Sequence, residues 1–80
     1  MTDQGPASHT LDTAGLFCPL PIVKTAARIK EIPTGDILVV LSDDPGILQD
    51  MPAWCKSNGQ ELLGIEEAGG LYRATIRRLR

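Results

Sequence analysis

Residues 19–42 read Pro-Leu-Pro-Ile-Val-Lys-Thr-Ala-Ala-Arg-Ile-Lys-Glu-Ile-Pro-Thr-Gly-Asp-Ile-Leu-Val-Val-Leu-Ser, and a change of hydrophobic period inside them decides the fold. Over Pro19 to Ile32 the apolar residues Ile22, Val23, Ala26, Ala27 and Ile29 recur at three-to-four spacing, with Lys24, Arg28 and Glu31 elsewhere. That spacing predicts a helix with one apolar face. Pro33-Thr34-Gly35 stops it. From Asp36 to Ser42 the period is gone and Ile-Leu-Val-Val-Leu runs continuously. Such a β-branched-rich run is expected of a strand covered on both sides or central in its sheet.

Upstream, His9 to Ala14 is a weak strand closed by Gly15. Downstream, Asp43-Asp44-Pro45-Gly46 opens a second helical region that runs to Asn58, with Gly59 as its stop. Its apolar positions Ile47, Leu48, Met51, Trp54 and Cys55 suit one buried face. Pro52 has no N–H for the carbonyl of Leu48, so a broken element is expected. It would be a short turn over 45–50, then a helix entered at Pro52 with Asp50 as cap. Gln60 to Glu67 and Leu71 to Leu79 read as strands joined at Ala68-Gly69-Gly70. In the second, Tyr72, Ala74 and Ile76 alternate with Arg73, Thr75 and Arg77.

The order β-α-β-α-β-β implies an α/β (α+β) two-layer sandwich, a mixed four-stranded sheet with two helices on one face. Residues 1–8 read as a disordered tail, and 9–80 as a single domain.

The chain has 80 residues, is 42% hydrophobic and 22% charged, and carries a net charge of −2. These values exclude wholesale disorder and argue against a protein whose business is coating nucleic acid. Direct RNA binding is further disfavoured because none of the three aromatics interleaves with the arginines. The longest apolar run, Ile37 to Leu41, is far short of the roughly 20 residues that span a bilayer. Met1 to Ser8 has neither the basic nor the apolar part of a secretory signal, so no membrane association and a cytoplasmic location are expected. No dimerisation signal stands out, so a monomer is expected. Two cysteines and one histidine are too few for a closed structural zinc site, and no metal or cofactor is expected.

Chemistry is concentrated in Leu11-Asp12-Thr13-Ala14-Gly15-Leu16-Phe17-Cys18-Pro19-Leu20-Pro21. The pattern places Cys18 at the cap of the first helix, where the helix dipole would lower its pKa modestly. Pro19 and Pro21 lack N–H groups, leaving Leu20 and Ile22 as donors. They also stiffen the backbone beside the thiol, which suits presentation to another protein's active site. From the residues alone two readings of Cys18 stay open, a presented thiol and a buried packing residue. Cys55, on the apolar face beside Trp54, reads as a core thiol, and Met51 as packing. Asp43 and Asp44 read most simply as turn and cap residues. Lys24 and Arg28 on the first helix and Arg73 and Arg77 on the last strand are a solvated face or, alternatively, a docking patch for acidic partners.

Asp12-x-x-Gly15-x-x-Cys18-Pro19-x-Pro21, with Asp43-Asp44-Pro45 and the segment Asp50-Met51-Pro52-Ala53-Trp54-Cys55 before Gly59, resembles the TusA/SirA family of small sulfur carriers. The likeness covers residues 10–79. It implies a two-layer sandwich of the same element order. It implies that Cys18 accepts a sulfane sulfur as a persulfide and hands it to a partner protein. Pro19 and Pro21 would then shape the loop, and Asp12 and Gly15 would support it. A sulfurtransferase of this kind needs a donor, such as a cysteine desulfurase or a rhodanese-type protein, and a downstream acceptor. It serves tRNA thiolation, cofactor synthesis or sulfur oxidation, with little turnover alone. The rival reading is a regulatory interaction module whose cysteine is silent or redox-sensing.

Overall fold

The computed structural model describes residues 6–80. Strand β1 (Ser8–Asp12) leads to helix α1 (Leu20–Arg28) and a 3₁₀ turn (Ile29–Glu31). Strand β2 (Ile37–Ser42), helix α2 (Ile47–Asn58), and strands β3 (Glu61–Ala68) and β4 (Leu71–Arg77) complete the chain. The sheet order is β1-β2-β4-β3, with β1 parallel to β2 and the other pairs antiparallel. This is the mixed four-stranded sheet with two helices expected from the sequence.

β2 is central, as expected, and its burial alternates. Leu38, Val40 and Ser42 are buried while Ile37, Val39 and Leu41 are partly exposed. Ala74 and Ile76 of β4 continue the buried row, and Ile29, Ile47, Met51 and Cys55 close over it from the helical layer. The helices therefore share one face of the sheet, and β2 is covered on one side only. Met51, Leu38, Val40, Ala74 and Ile76 are 0% exposed, and truncating a large member of this set would cost about 2–5 kcal/mol.

Several expectations need correction. Residues 1–5 of the expected tail lie outside the described residues, but Ser8 already belongs to β1, and Ala7 O accepts the Ile37 N–H at 2.9 Å. Helix α1 buries Pro21 and Thr25 and the 3₁₀ turn continues their line with Ile29, whereas Val23 is 56% exposed and Ala27 is exposed. A buried threonine is tolerated at the centre of this line because its hydroxyl donates to the Pro21 carbonyl at 2.8 Å. Helix α2 runs unbroken through Pro52. Pro52 and Leu48 lie on its exposed side, where a carbonyl left without a donor costs less than it would in the core. The expected buried face of α2 is accordingly Ile47, Met51 and Cys55, with Trp54 half-buried and Leu48 outside.

Gly59 ends α2 in the left-handed region at φ 70°, its N–H on the Cys55 carbonyl, as a C-terminal stop requires. Gly69 and Gly70, both with positive φ, form the two-residue hairpin turn between β3 and β4.

Candidate functional site

Because β1 and β2 are parallel neighbours, the two loops that leave their carboxyl ends emerge side by side. One loop carries residues 13–19 and the other residues 43–46. Open α/β sheets place their chemistry at such ends. The first loop is tied to the second strand by Thr13, whose N–H and hydroxyl both donate to the Leu41 carbonyl, the former at 2.8 Å. Asp12 then accepts the N–H of Ala14 at 2.9 Å and tightens the turn. Gly15, at φ 88°, points its N–H at both carboxylate oxygens of Asp43, each 3.1 Å away.

Cys18 is exposed. Its backbone N–H donates to Asp44 Oδ2 at 2.7 Å, and the Gly46 N–H donates to Asp44 Oδ1 at 3.0 Å. These two donors hold the Asp44 carboxyl below the usual carboxylate range. The Cys18 thiol donates to the Asp50 carboxylate on the first turn of α2. Cys18, Asp44 and Asp50 line a shallow crevice together with Pro21, Ile22 and Ile47.

Two expectations about Cys18 change. Pro19, not Cys18, occupies the cap position of α1. The donors of the first turn are spent within the backbone: Leu20 N–H on Phe17 O, and Ile22 and Val23 N–H on Pro19 O, at 2.8–3.0 Å. The hydrogen bond to Asp50, followed by desolvation and the negative charges of Asp50 and Asp44, instead pushes the thiol above its ordinary pKa.

Three acidic residues surround the loop that carries Cys18, and their part in the site exceeds the turn and cap roles expected of them. Asp50 was expected to cap a helix and instead holds the thiol. Asp43 and Asp44, read as turn and cap residues, also join the two loops. Their signal was available: a parallel β1–β2 pair forces the loop after β1 against the loop and first helical turn after β2.

The four basic residues do not form one patch. Lys24 is exposed on α1 and Arg28 pairs with Glu31 at 3.3 Å. Arg73 and Arg77 alternate with the buried Ala74 and Ile76 and so project from the opposite face of the sheet, where Arg77 pairs with Glu61 at 2.9 Å. His9 is occupied at the other end of β1 with Asp36, 2.9 Å away. Cys55 is 2% exposed, and burial pushes its thiol up to about 11. Among the described residues no group of three or more His, Cys, Asp or Glu side chains could hold a metal ion, and no helix is long and apolar enough to cross a membrane.

A family model described as sulfurtransferase TusA matches residues 9–78. The chain is 39% identical over 69 residues to the sulfur carrier protein TusA of Pseudomonas entomophila (strain L48), covering 86% of each. It is 43% identical over 72 residues to the putative sulfur carrier protein YrkF of Bacillus subtilis (strain 168), covering 90% of this chain and 39% of that protein. It is 41% identical over 70 residues to a putative sulfur carrier protein of Aquifex aeolicus (strain VF5), covering 88% of this chain and 36% of that one. The chain thus spans under two fifths of the length of these last two relatives. The crystal structure of a SirA-like protein from Desulfitobacterium hafniense superposes with a TM-score of 0.71 at 24% identity, over 89% of this chain and 97% of that one, and so shares the fold.

Proposed function

This chain belongs to the TusA sulfurtransferase family, and from that premise we propose that it is a sulfur-relay carrier whose acceptor is Cys18. Its thiolate attacks the terminal sulfur of a donor persulfide as the donor's S–S bond breaks, holds that sulfur as Cys18–S–SH, and passes it by thiol exchange to a cysteine of an acceptor protein. The observation that carries this reading is the exposure of Cys18 on two loops tied together by backbone hydrogen bonds to Asp43 and Asp44. A relay thiol has to be reached by two different proteins in turn, and an exposed cysteine on a loop held by these hydrogen bonds meets that need.

The surroundings support docking. Phe17 is 75% exposed and Leu20 45% exposed on either side of Cys18 in the chain, and Leu48 is 51% exposed on the first turn of α2. Large apolar side chains left in water around a reactive group fit the contact surface of a protein partner. Among the described residues the crevice beside the thiol is lined by two carboxylates and apolar side chains, with no positive charge, so donor and acceptor sites supply the remaining catalytic groups.

The test is the intact mass of the protein after incubation with a cysteine desulfurase, pyridoxal phosphate and cysteine, followed by peptide mapping. A thiol-reversible gain of one sulfur atom on Cys18 is expected, lost in Cys18→Ser and kept in Cys55→Ser. No gain from this donor or from a thiosulfate-loaded rhodanese would sink the proposal.

A further inference from the structure

We propose that Asp50 is a restraint on Cys18, holding the thiol turned toward α2 in the free protein, so that sulfur is accepted only when this contact opens. The inference rests on reading Cys18 as the sulfur acceptor and adds how that acceptor is kept quiet between partners.

The two carboxylates beside the sulfur are held differently. Asp44 takes two backbone N–H groups, those of Cys18 and Gly46, and so is part of the loop's framework. Asp50 stands on α2 and takes the thiol proton itself. The groups facing the sulfur can be followed element by element. The β2–α2 loop supplies Asp44, α2 supplies Asp50 and the apolar Ile47, and α1 supplies Pro21 and Ile22. Both charges acting on the thiol are therefore negative. A thiolate formed in place would be a third anion in the same crevice, and it would lose the hydrogen bond that the thiol donates. Burial is not what protects this sulfur, because Cys18 is exposed. Rotation of one side chain away from Asp50 removes the restraint and presents Sγ to an incoming partner.

The chemistry balances without an added oxidant. With Sγ turned outward, its bond to the donor's terminal sulfur forms as the donor's S–S bond breaks. The sulfane sulfur moves from one cysteine to the other, and the proton given up by Cys18 ends on the donor's cysteine. Since the thiolate is the attacking species, whatever lowers its population in the free carrier lowers its reactivity toward non-partner electrophiles.

The restraint is tested with the full chain and iodoacetamide, a neutral reagent that needs no sulfur donor, by following alkylation of Cys18 through peptide mapping across the pH range. Asp50→Asn is expected to react about tenfold faster near neutral pH, the size of effect that one adjacent like charge and hydrogen bond exert on a thiolate population. Its rate profile should shift to lower pH, and Asp50→Ala should repeat the gain, so that a folding failure of either variant leaves the other to decide. Rates that coincide with wild type over the whole profile in the folded variants would overturn the restraint. Loading by glutathione persulfide, measured in parallel, separates the two readings. Loaded wild type with no gain in alkylation for the variants sinks the restraint alone. Faster alkylation with no loading of any form sinks the carrier reading and leaves the restraint standing.

Discussion

The two thiols of this chain are both harder to ionise than a free cysteine, for opposite reasons. Cys55 lies in the core among Ile47, Met51, Leu38 and Ile76, and burial alone pushes it up to about 11. Cys18 is exposed, and what pushes it up is first a hydrogen bond to one carboxylate and then, beside desolvation, the charge of that carboxylate and a second. Removing the first effect means unfolding the protein. Removing the second means turning one side chain. A single helix delivers both environments, because Asp50 and Cys55 sit on different sides of α2. Desolvation makes an inert cysteine, whereas a specific acceptor makes a cysteine that can be switched.

The sharpest way to break this comparison is to measure access. Cys18 should be alkylated by iodoacetamide in the native protein, whereas Cys55 should react only through opening of the core, slower by about a thousandfold or more for a domain of ordinary stability. Peptide mapping of a partial reaction reads both sites in one sample. Comparable rates would mean that α2 opens readily, and the distinction between the thiols would collapse.

A smaller effect separates them on the alkaline side. A thiol whose folded pKa is raised contributes stability that is complete below its unfolded pKa and is lost as pH rises toward its folded value. For Cys55 that window runs from the ordinary cysteine value of 9.0 to about 11. At about 1.4 kcal/mol per pH unit, the loss across it amounts to roughly 2–3 kcal/mol. Chemical denaturation at several pH values should show this loss in wild type and keep it in Cys18→Ser, which gives up only the part owed to the raised Cys18 thiol, and should show a flatter dependence in Cys55→Ala. Equal slopes in all three proteins would show that Cys55 titrates without feeling the core.

How much of this was legible differs between fold and site. The elements follow from local periods: the continuous run of β2, the alternation of β4, and Gly59, Gly69 and Gly70 at turns that need positive φ. Even the separation of Arg73 and Arg77 from the helical layer was implied by their alternation with Ala74 and Ile76. The buried face of α1 is not legible because hydrophobicity alone favours Val23 and Ala27 over Thr25, and nothing in a hydropathy pattern reveals that a threonine can satisfy its hydroxyl on Pro21. Cys18 stands out in the sequence through the two prolines that follow it, but its surroundings do not. Its electrostatics come from Asp44 and Asp50, whose carboxylates reach it across a gap of 26 and 32 positions in the chain. Contacts of that kind depend on which loops the sheet order brings together, and a helix-dipole argument confined to α1 could not contain them.

The smallest expected effect concerns Asp44, whose role separates framework from chemistry within the same crevice. Its carboxyl is held below the usual range first by the Gly46 N–H and then by the Cys18 N–H. A carboxylate with a depressed folded pKa contributes stability that is complete above its unfolded value, about 3.9, and is lost as pH falls toward and through the folded one. The thermal midpoint should therefore decline in acid, and Asp44→Asn should remove part of that decline. Asp36 supplies another part with the same sign, because its hydrogen bond to His9 lowers it as well. Asp44→Asn should change the acid limb more than it changes Cys18 alkylation, whereas the main effect of Asp50→Asn should be on Cys18 alkylation. If the two variants instead move acid stability and thiol reactivity in proportion, the two carboxylates act as one anionic pair, and the division between a structural Asp44 and a restraining Asp50 fails.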